Sequence, residues 1–369
     1  METDVLVIGG GPAGLAASQQ LKQRGVSHKV LERGDAVGHT WANLYDSLVL
    51  HTGKRMSSLP GLPFPADYPT FVSRGDFVKY LLSYRDRFDL PVQTRAPVEH
   101  LERTAGGWTA RTPHGPVTSR AVVMATGIVA NPVVPRFPGQ DRFQGRILHS
   151  VEYRRPDPFR GQRVLVVGVG NSGGEIGAEL AHAGVAVTLA VRSGANVVPR
   201  EILGIPIQYI AFYVRQLPRP VQRVVVSLVR QITIIRRGPP VLPPSQVFAL
   251  DAVPLIGFHL VDAIKSGAAT VRPGLQGFTE RGVRFTDGRE EPIDTVILAT
   301  GFHAALAPLG PLVTADAKGF ARRADRVTSA DQPGLYFVGQ NYDSGGGLHN
   351  IGVDARLVAR QISRLRTHQ

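Results

Sequence analysis

The stretch that decides the fold is DVLVIGGGPAGLAASQQLKQRGVSHKVLER, Asp4 to Arg33. Asp4 to Ile8 is a short apolar run, the pattern of a parallel strand buried on both faces. Gly9, Gly11 and Gly14 follow as G-x-G-x-x-G. Gly9 permits the tight turn, Gly11 lets backbone approach a pyrophosphate, and Gly14 lets helix and sheet pack closely. Leu15 to Arg24 carries helical spacing with Leu15 and Leu21 inward, and Gly25 ends the helix. The helix start, Pro12 and Ala13, turns its positive dipole end toward phosphates. HKVLE reads as the next strand and closes on Glu32, 18 residues after Gly14, where a carboxylate can accept ribose hydroxyls. Arg33 follows it. A glycine pattern alone is weak evidence. Strand, helix, second strand and acid in register make dinucleotide binding the reading, with a purely structural glycine turn as the alternative.

QRVLVVGVGNSGGEIGAELAHAGVAVTLAVRS repeats the unit. Arg163 to Val167 reads as strand, Gly168, Gly170 and Gly173 as fingerprint, Glu175 to Ala183 as helix, and Ala186 to Val191 as second strand. This strand ends in Arg192-Ser193 instead of an acid. A carboxylate suits a free 2′-hydroxyl and an arginine suits a 2′-phosphate. The first loop therefore fits FAD and the second NADPH; a solvated strand end is the bland reading of Arg192. Asn171 and Ser172 can donate to phosphate or nicotinamide groups or serve as a helix N-cap.

AVVMATG (Ala121–Gly127) and DTVILATGF (Asp294–Phe302) are near-copies, each a buried strand ending in Ala-Thr-Gly. They predict an α/β protein of two Rossmann-like dinucleotide-binding domains in the glutathione-reductase style, with the NADPH domain inserted in the FAD domain. The expected FAD domain is residues 1–150 and 299–369, and the NADPH domain is residues 151–298.

A chain of 369 residues suits two domains. Hydrophobic content of 43% and charge content of 19% describe a globular protein. With no cysteine there is no disulfide, thiolate metal site or redox dithiol. The eleven histidines show no metal-ligand spacing, so no metal is expected. No signal peptide or run of about 18 apolar residues is visible, which points to a cytoplasmic protein without a transmembrane segment. The net charge of +13 is either a solubility feature or an attraction for anionic ligands. Its basic residues are dispersed and no nucleic-acid motif accompanies them, so no nucleic-acid partner is expected. A homodimer is left open. From Ile202 to Arg237, apolar faces alternate with arginines, and Pro218 and Pro220 split the segment into two short helices. It reads as a lid or packing pair, or as an interfacial membrane contact or dimer surface.

FQGRILHSVEY supplies Phe143, Gly145, His149 and Tyr153, the pattern F-x-G-x-x-x-H-x-x-x-[YF]. With it, the chain resembles the class B flavin monooxygenases, and within them the flavin-containing monooxygenases and their YUCCA-type relatives. GVGNSGGEI, WANLYDSLVLHTGKRMSSLPGLPFP, LVDAIKSGAATVRPGL and GLYFVG add to the likeness, which spans nearly the whole chain. Relatives that insert oxygen into rings usually carry Trp at the position of Tyr153.

The resemblance implies an FAD-dependent monooxygenase using NADPH and O2. Reduced flavin adds oxygen at C4a to form a (hydro)peroxyflavin, and one atom passes to a small substrate: an amine, a sulfide or a 2-oxo acid. It also implies that the Phe143–Tyr153 stretch joins the two domains, and that His149, with Ser150, contacts bound NADP. The alternative for His149 is a turn-shaping role. His51 stands where many relatives have Asn near the flavin; it either supports catalysis there or packs near Lys54. Trp41 is expected beside the flavin. Val98, Thr126, Gly127, Thr300 and Gly301 complete the cofactor set. Gln340, Gly347, Leu348 and His349 lie where a last helix would face the flavin pyrimidine. His51, His149 and Asn171 are the catalytic candidates. A cysteine-free NADPH reductase serving a protein partner and a nucleotide-binding redox sensor are the competing readings.

Overall fold

The computed structural model describes residues 2–341, 343 and 345–367. The chain divides into two compact units, one of Met1–Asn43, Leu48–Asn131 and Phe302–Gln369, the other of Leu44–Ser47 and Pro132–Gly301.

The first unit is built on a seven-stranded sheet. Glu2–Ile8 pairs in parallel with His28–Leu31 on one side and Val117–Met124 on the other. Val92–Gln93 extends the parallel set beyond His28–Leu31. Val117–Met124 also pairs with Leu335–Phe337 in parallel and with the antiparallel Gly107–Arg111, itself paired with His100–Thr104. The second half of the first strand, Val5–Ile8, is apolar because both of its faces are covered. Val5 and Val7 enter one core with Leu15, Leu21 and Tyr84, while Leu6 and Ile8 enter another with Trp108, Met124 and Phe337. Each fully buried side chain of this kind contributes about 2 kcal/mol of transfer free energy.

Helix Pro12–Gln23 covers one face, with Arg24 as C-cap and Gly25 at φ +65°. Helix Arg74–Arg87 starts on Ser73, whose hydroxyl accepts from Asp76 N at 3.1 Å. Two tyrosines of this helix fix the 59–62 segment: Tyr80 donates to Leu62 O and Tyr84 to Pro60 O, each at 2.6 Å. The last helix runs Gly347–Thr367.

The second unit repeats the plan. Its five-stranded sheet runs Ala269–Pro273, Ala186–Val191, Arg163–Val167, Thr295–Leu298, Arg146–His149, all parallel. A three-stranded meander, Leu275–Thr279, Gly282–Phe285 and Glu290–Pro292, stands where the first unit has its antiparallel strands. Leu165, Val167, Phe285 and Val296 share one core.

The junctions differ from those expected. Residues 132–150 and 299–301 belong to the second unit. The cause is strand pairing: Arg146–His149 is its edge strand, in register with Thr295–Leu298. Nearby, Val133 N donates to Gly301 O at 2.9 Å and Thr300 Oγ1 donates to Val133 O at 2.5 Å. The Phe143–Tyr153 stretch therefore lies inside this unit and is no joint between two. The arginine-rich segment divides as expected at Pro218, but its second helix, Arg219–Arg237, is 19 residues long and not short.

His28 links strand to helix. Its Nδ1 donates to Val26 O at 2.8 Å and its Nε2 accepts from the Ser18 hydroxyl at 2.8 Å. Burial holds its pKa below the ordinary value, opposed by the Val26 carbonyl and aided by Lys22. The unfolded chain thus binds the extra proton first, near pH 6.5. Stability is complete above that pH and falls as pH drops below it. In urea titrations, His28→Gln is expected to flatten this acid slope by at most about 1.4 kcal/mol per pH unit. An unchanged slope would show that His28 carries none of it.

Candidate functional site

Each unit presents the same cradle. Gly9 sits at φ +109°, and a Cβ there would lie 2.5 Å from Ala125 O. A Cβ on Gly14 would lie 1.8 Å from Gly9 O. Turn and helix are thus pressed together with no room for a side chain. At Gly11 a Cβ would meet nothing within 4 Å. Gly11 is the N-cap of Pro12–Gln23, no side chain caps the helix, and its first turn holds no acid. The first-turn amides are left to an incoming anion.

Glu32 follows strand His28–Leu31 and is 7% exposed. Its Oε2 accepts from Gly10 N at 2.5 Å and its Oε1 from Gly34 N at 2.7 Å. The carboxylate is fixed at the strand end, beside the loop. Arg33 next to it is exposed. Thr126 and Gly127 follow strand Val117–Met124; Thr126 Oγ1 donates to Ala305 O at 2.7 Å and Gly127 has φ +67°.

The second cradle matches position for position. Gly168 has φ +101° and its Cβ would lie 2.6 Å from Ala299 O; that of Gly173 would lie 2.1 Å from Gly168 O; that of Gly170 meets nothing within 4 Å. Gly170 is the N-cap of helix Asn171–His182, again without a side-chain cap or a first-turn acid. Asn171 and Ser172 are therefore the first helical residues and not caps. Asn171 Oδ1 accepts from Ile256 N at 3.0 Å, which ties the helix start to strand Leu255–Ile256. Arg192 and Ser193 are exposed immediately after strand Ala186–Val191. Thr300 and Gly301, the latter at φ +90°, follow strand Thr295–Leu298.

These two cradles fit dinucleotides on geometry alone. Backbone is open where a pyrophosphate must approach and closed where helix must meet sheet. A fixed acid ends the second strand of one, and an exposed guanidinium ends that of the other.

His149 is 3% exposed at the end of the edge strand. Its backbone N donates to Glu152 Oε1 at 2.8 Å, and its Nδ1 accepts from Val151 N at 3.2 Å. Burial holds its pKa below the usual value, against the backbone of Gly301 and the Glu152 charge. Tyr153, 1% exposed, donates to Glu179 Oε2 at 2.8 Å. Burial first, then Glu179, pushes its phenol up, so it stays a neutral donor.

Trp41 packs edge-on against Phe77, centroids 4.6 Å apart, on the first unit's core. His51 is half-buried, and Lys54 is engaged by the carbonyls of Pro65, Ala66 and Tyr68. Val98 is half-buried against the Leu6–Trp108 core. Gln340 is buried and its Oε1 accepts from Ala321 N at 3.0 Å. Leu348 is a core residue beside Ile351. His349 is half-buried, and burial, then Arg356 and Arg326, holds its pKa down. The glycine-rich turn before it includes Tyr342 and Ser344, which lie outside the described residues.

Two networks were not anticipated from the sequence. Tyr45 donates to Glu175 and Tyr153 to Glu179, so two tyrosines grip carboxylates one turn apart on helix Asn171–His182. Asp46 N adds a bond to Arg154 O at 2.9 Å. The second network centres on Asp354, fully buried, which accepts from Arg326 Nε at 2.6 Å, Asn341 Nδ2 at 2.9 Å and Gly339 N at 3.3 Å. Burial pushes its carboxyl up against the pull of Asn341 and Arg326. A carboxylate on the face shared by Ile351, Ala355 and Val358 was the available signal. Among the described residues no group of three or more His, Cys, Asp or Glu could hold a metal ion.

The sequence profile of the flavin-binding monooxygenase-like family matches residues 2–316. Indole-3-pyruvate monooxygenase YUCCA1 of Oryza sativa subsp. japonica is 37% identical over 374 residues, 97% of this chain and 90% of that one. Indole-3-pyruvate monooxygenase YUCCA6 of Arabidopsis thaliana is 33% identical over 98% of this chain and 90% of its own. Among solved structures, a flavin-containing monooxygenase from Stenotrophomonas maltophilia matches with TM-score 0.80 and 26% identity over 99% of both chains. A steroid monooxygenase bound to NADP, 19% identical with TM-score 0.74 over 100% of this chain and 86% of that one, shares the fold.

The cradles make a paired prediction. Gly11→Ala and Gly170→Ala fill open space, so the apoprotein is expected to keep its melting temperature. Gly11→Ala should then lose FAD content, and Gly170→Ala should raise the NADPH Kd at least tenfold with FAD retained. Gly14→Ala and Gly173→Ala should lower folded yield outright. Thermal melts and flavin absorbance separate these cases; FAD loss from Gly170→Ala would reverse the assignment of the loops.

Proposed function

This chain belongs to the flavin-binding monooxygenase-like family, and from that premise we propose that its substrate is an aromatic 2-oxo acid. The chain is an FAD- and NADPH-dependent monooxygenase acting on a small molecule, and the reductase alternative finds no support among its relatives. The observation that carries the substrate class is the 37% identity to an indole-3-pyruvate monooxygenase over 97% of the chain. Tyr153, in place of the Trp of ring-expanding relatives, is consistent with it.

The reaction balances without a metal or a thiol. A 2-oxo acid, O2, NADPH and a proton give the acid one carbon shorter, CO2, water and NADP⁺. The C1–C2 bond breaks, one oxygen atom enters the new carboxyl group and the other leaves as water. Bound FAD supplies the oxygen activation.

The chain's own residues do the positioning. On this reading the first unit holds FAD: the amide N–H groups of Ala13 and Gly14 meet its pyrophosphate, and Glu32 accepts its ribose hydroxyls. The second unit holds NADPH at Gly168–Gly173, with Arg192 and Ser193 on the 2′-phosphate. Tyr153 and Tyr45, through Glu179 and Glu175, hold the helix that carries this loop. His149, buried at the end of strand Arg146–His149, is a candidate contact to the nicotinamide nucleotide. Asn171, with its Oδ1 engaged by Ile256, acts by orienting the loop. His51 remains the candidate for a proton-handling role toward flavin. The Asp354–Arg326–Asn341 network fixes the backbone at Gly339 near the start of the last helix.

Two measurements test this. Incubation with indole-3-pyruvate under ¹⁸O2 should yield indole-3-acetate with one labelled oxygen and one CO2 per NADPH. NADPH consumption that yields only hydrogen peroxide, with an amine or sulfide gaining the oxygen instead, would overturn the substrate class. Arg192→Ala should raise the NADPH Kd roughly tenfold or more, in line with loss of a charge-assisted pair, and leave NADH nearly unchanged. Equal losses for both nucleotides would refute the 2′-phosphate role.

A further inference from the structure

The proposed chemistry assigns no residue of the arginine-rich segment a role. Helix Arg219–Arg237 buries only Gln222, whose Nε2 donates to Arg215 O at 3.1 Å and Leu217 O at 2.9 Å. Both ends are pinned. Arg219 pairs with Asp251 at 3.0 Å, and Arg237 pairs with Asp262 at 2.8 Å while lying 4.4 Å over Phe258. Between these anchors the helix has three stripes at about 100° per residue. Gln222, Val226, Val229 and Thr233 are buried or half-buried. Arg219, Arg223, Arg230 and Arg237 form a second stripe. Val221, Val224, Leu228, Ile232 and Ile235 form a third, within an arc of about 80°. This apolar stripe is exposed: Val224 58%, Leu228 57%, Ile232 51%, Ile235 81%.

Upstream, Leu203 is 91% exposed at φ +50° in the turn between strands Glu201–Ile202 and Ile205–Pro206. Tyr213 is 68% exposed. A leucine at a solvent-facing left-handed turn gains nothing from the fold around it.

We propose that this segment docks on an anionic lipid surface, with helix Arg219–Arg237 lying in the headgroup plane and its apolar stripe among the acyl chains. Charge selects the occupant. Residues 200–237 hold seven arginines and one acid, Glu201. Among the described residues Arg223, Arg230 and Arg236 form no salt bridge, so their charge is available to headgroups. A second copy would set two such cationic segments face to face with no acid on either helix to offset them. An anionic bilayer supplies the opposite sign. The helix does not cross the bilayer: among the described residues none is long and apolar enough to do so. This inference is independent of the substrate reading.

The test uses the full FAD-loaded chain and sucrose-loaded vesicles, one set of phosphatidylcholine and one with about one-third phosphatidylglycerol. Co-sedimentation is expected with the anionic set and at least tenfold weaker with the neutral one. Leu228→Glu with Ile232→Glu should cut binding at least tenfold, with helix content and bound flavin unchanged. If that pair unfolds, Leu228→Ser with Ile232→Ser makes the same comparison. Arg223→Gln with Arg230→Gln should weaken binding by about fivefold per arginine. Failure to pellet with anionic vesicles, or pelleting that ignores the apolar substitutions, overturns the proposal. So does a solution dimer that Leu228→Glu with Ile232→Glu dissolves, in a chain that ignores vesicles; that result assigns the stripe to a second copy.

Discussion

The carbonyl oxygen of Gly9 occupies the space where residue 14 would carry a Cβ, 1.8 Å away. That contact sets the rest of the first unit. It lets helix Pro12–Gln23 start directly at the end of strand Glu2–Ile8 and lie flat on the sheet. The helix N-terminus then stands at the carboxyl edge of the parallel strands, where open α/β sheets bind ligands. Gly168 and Gly173 repeat the contact at 2.1 Å. The two units share their binding geometry because each is held by the same steric constraint.

What the sequence made legible follows from how local the cause is. Strands Arg163–Val167 and Ala186–Val191 fall where expected, because short, largely apolar runs on either side of a glycine-started helix admit few other structures. Both glycine loops take the expected form for the same reason. The domain junctions were not legible. Arg146–His149 is a four-residue strand whose identity rests on pairing with Thr295–Leu298, far along the chain. The Phe143–Tyr153 spacing now has a physical account within one unit. A Cβ on Gly145 would lie 2.3 Å from the Phe143 ring and 2.5 Å from Asp294 O. Phe143 packs on Phe278 with centroids 5.1 Å apart, His149 ends the edge strand, and Tyr153 reaches Glu179. Local geometry was legible where glycine spacing alone sets the backbone, as at Gly11 and Gly170. Side-chain pairs from distant segments were not legible, as with Tyr45 and Glu175 or Asp354 and Arg326.

The histidines show why burial has to be known before chemistry is assigned. In the sequence His149 is a catalytic candidate and His349 one of the residues expected where the last helix would face the flavin. Burial lowers the pKa of both. A neutral imidazole offers one donor and one acceptor, and the acceptor of His149 is used by Val151 N. The Gly301 backbone also hydrogen-bonds the ring, so the imidazole is engaged within the second unit itself.

The two strand-end residues differ in more than sign. Glu32 is 7% exposed and held by two backbone amides, so its acceptor geometry exists before any ligand arrives. Its ordering cost is met during folding, which lowers the cost of binding. Arg192 is exposed, and among the described residues it forms no salt bridge, so a nucleotide must order it on arrival. A preorganised site favours slow release and suits a cofactor that stays through many turnovers. A site that orders on binding loses part of its contact energy to that ordering and suits a nucleotide exchanged every cycle. On the reading that FAD occupies the first unit and NADPH the second, the acid and the arginine set residence time as well as nucleotide identity.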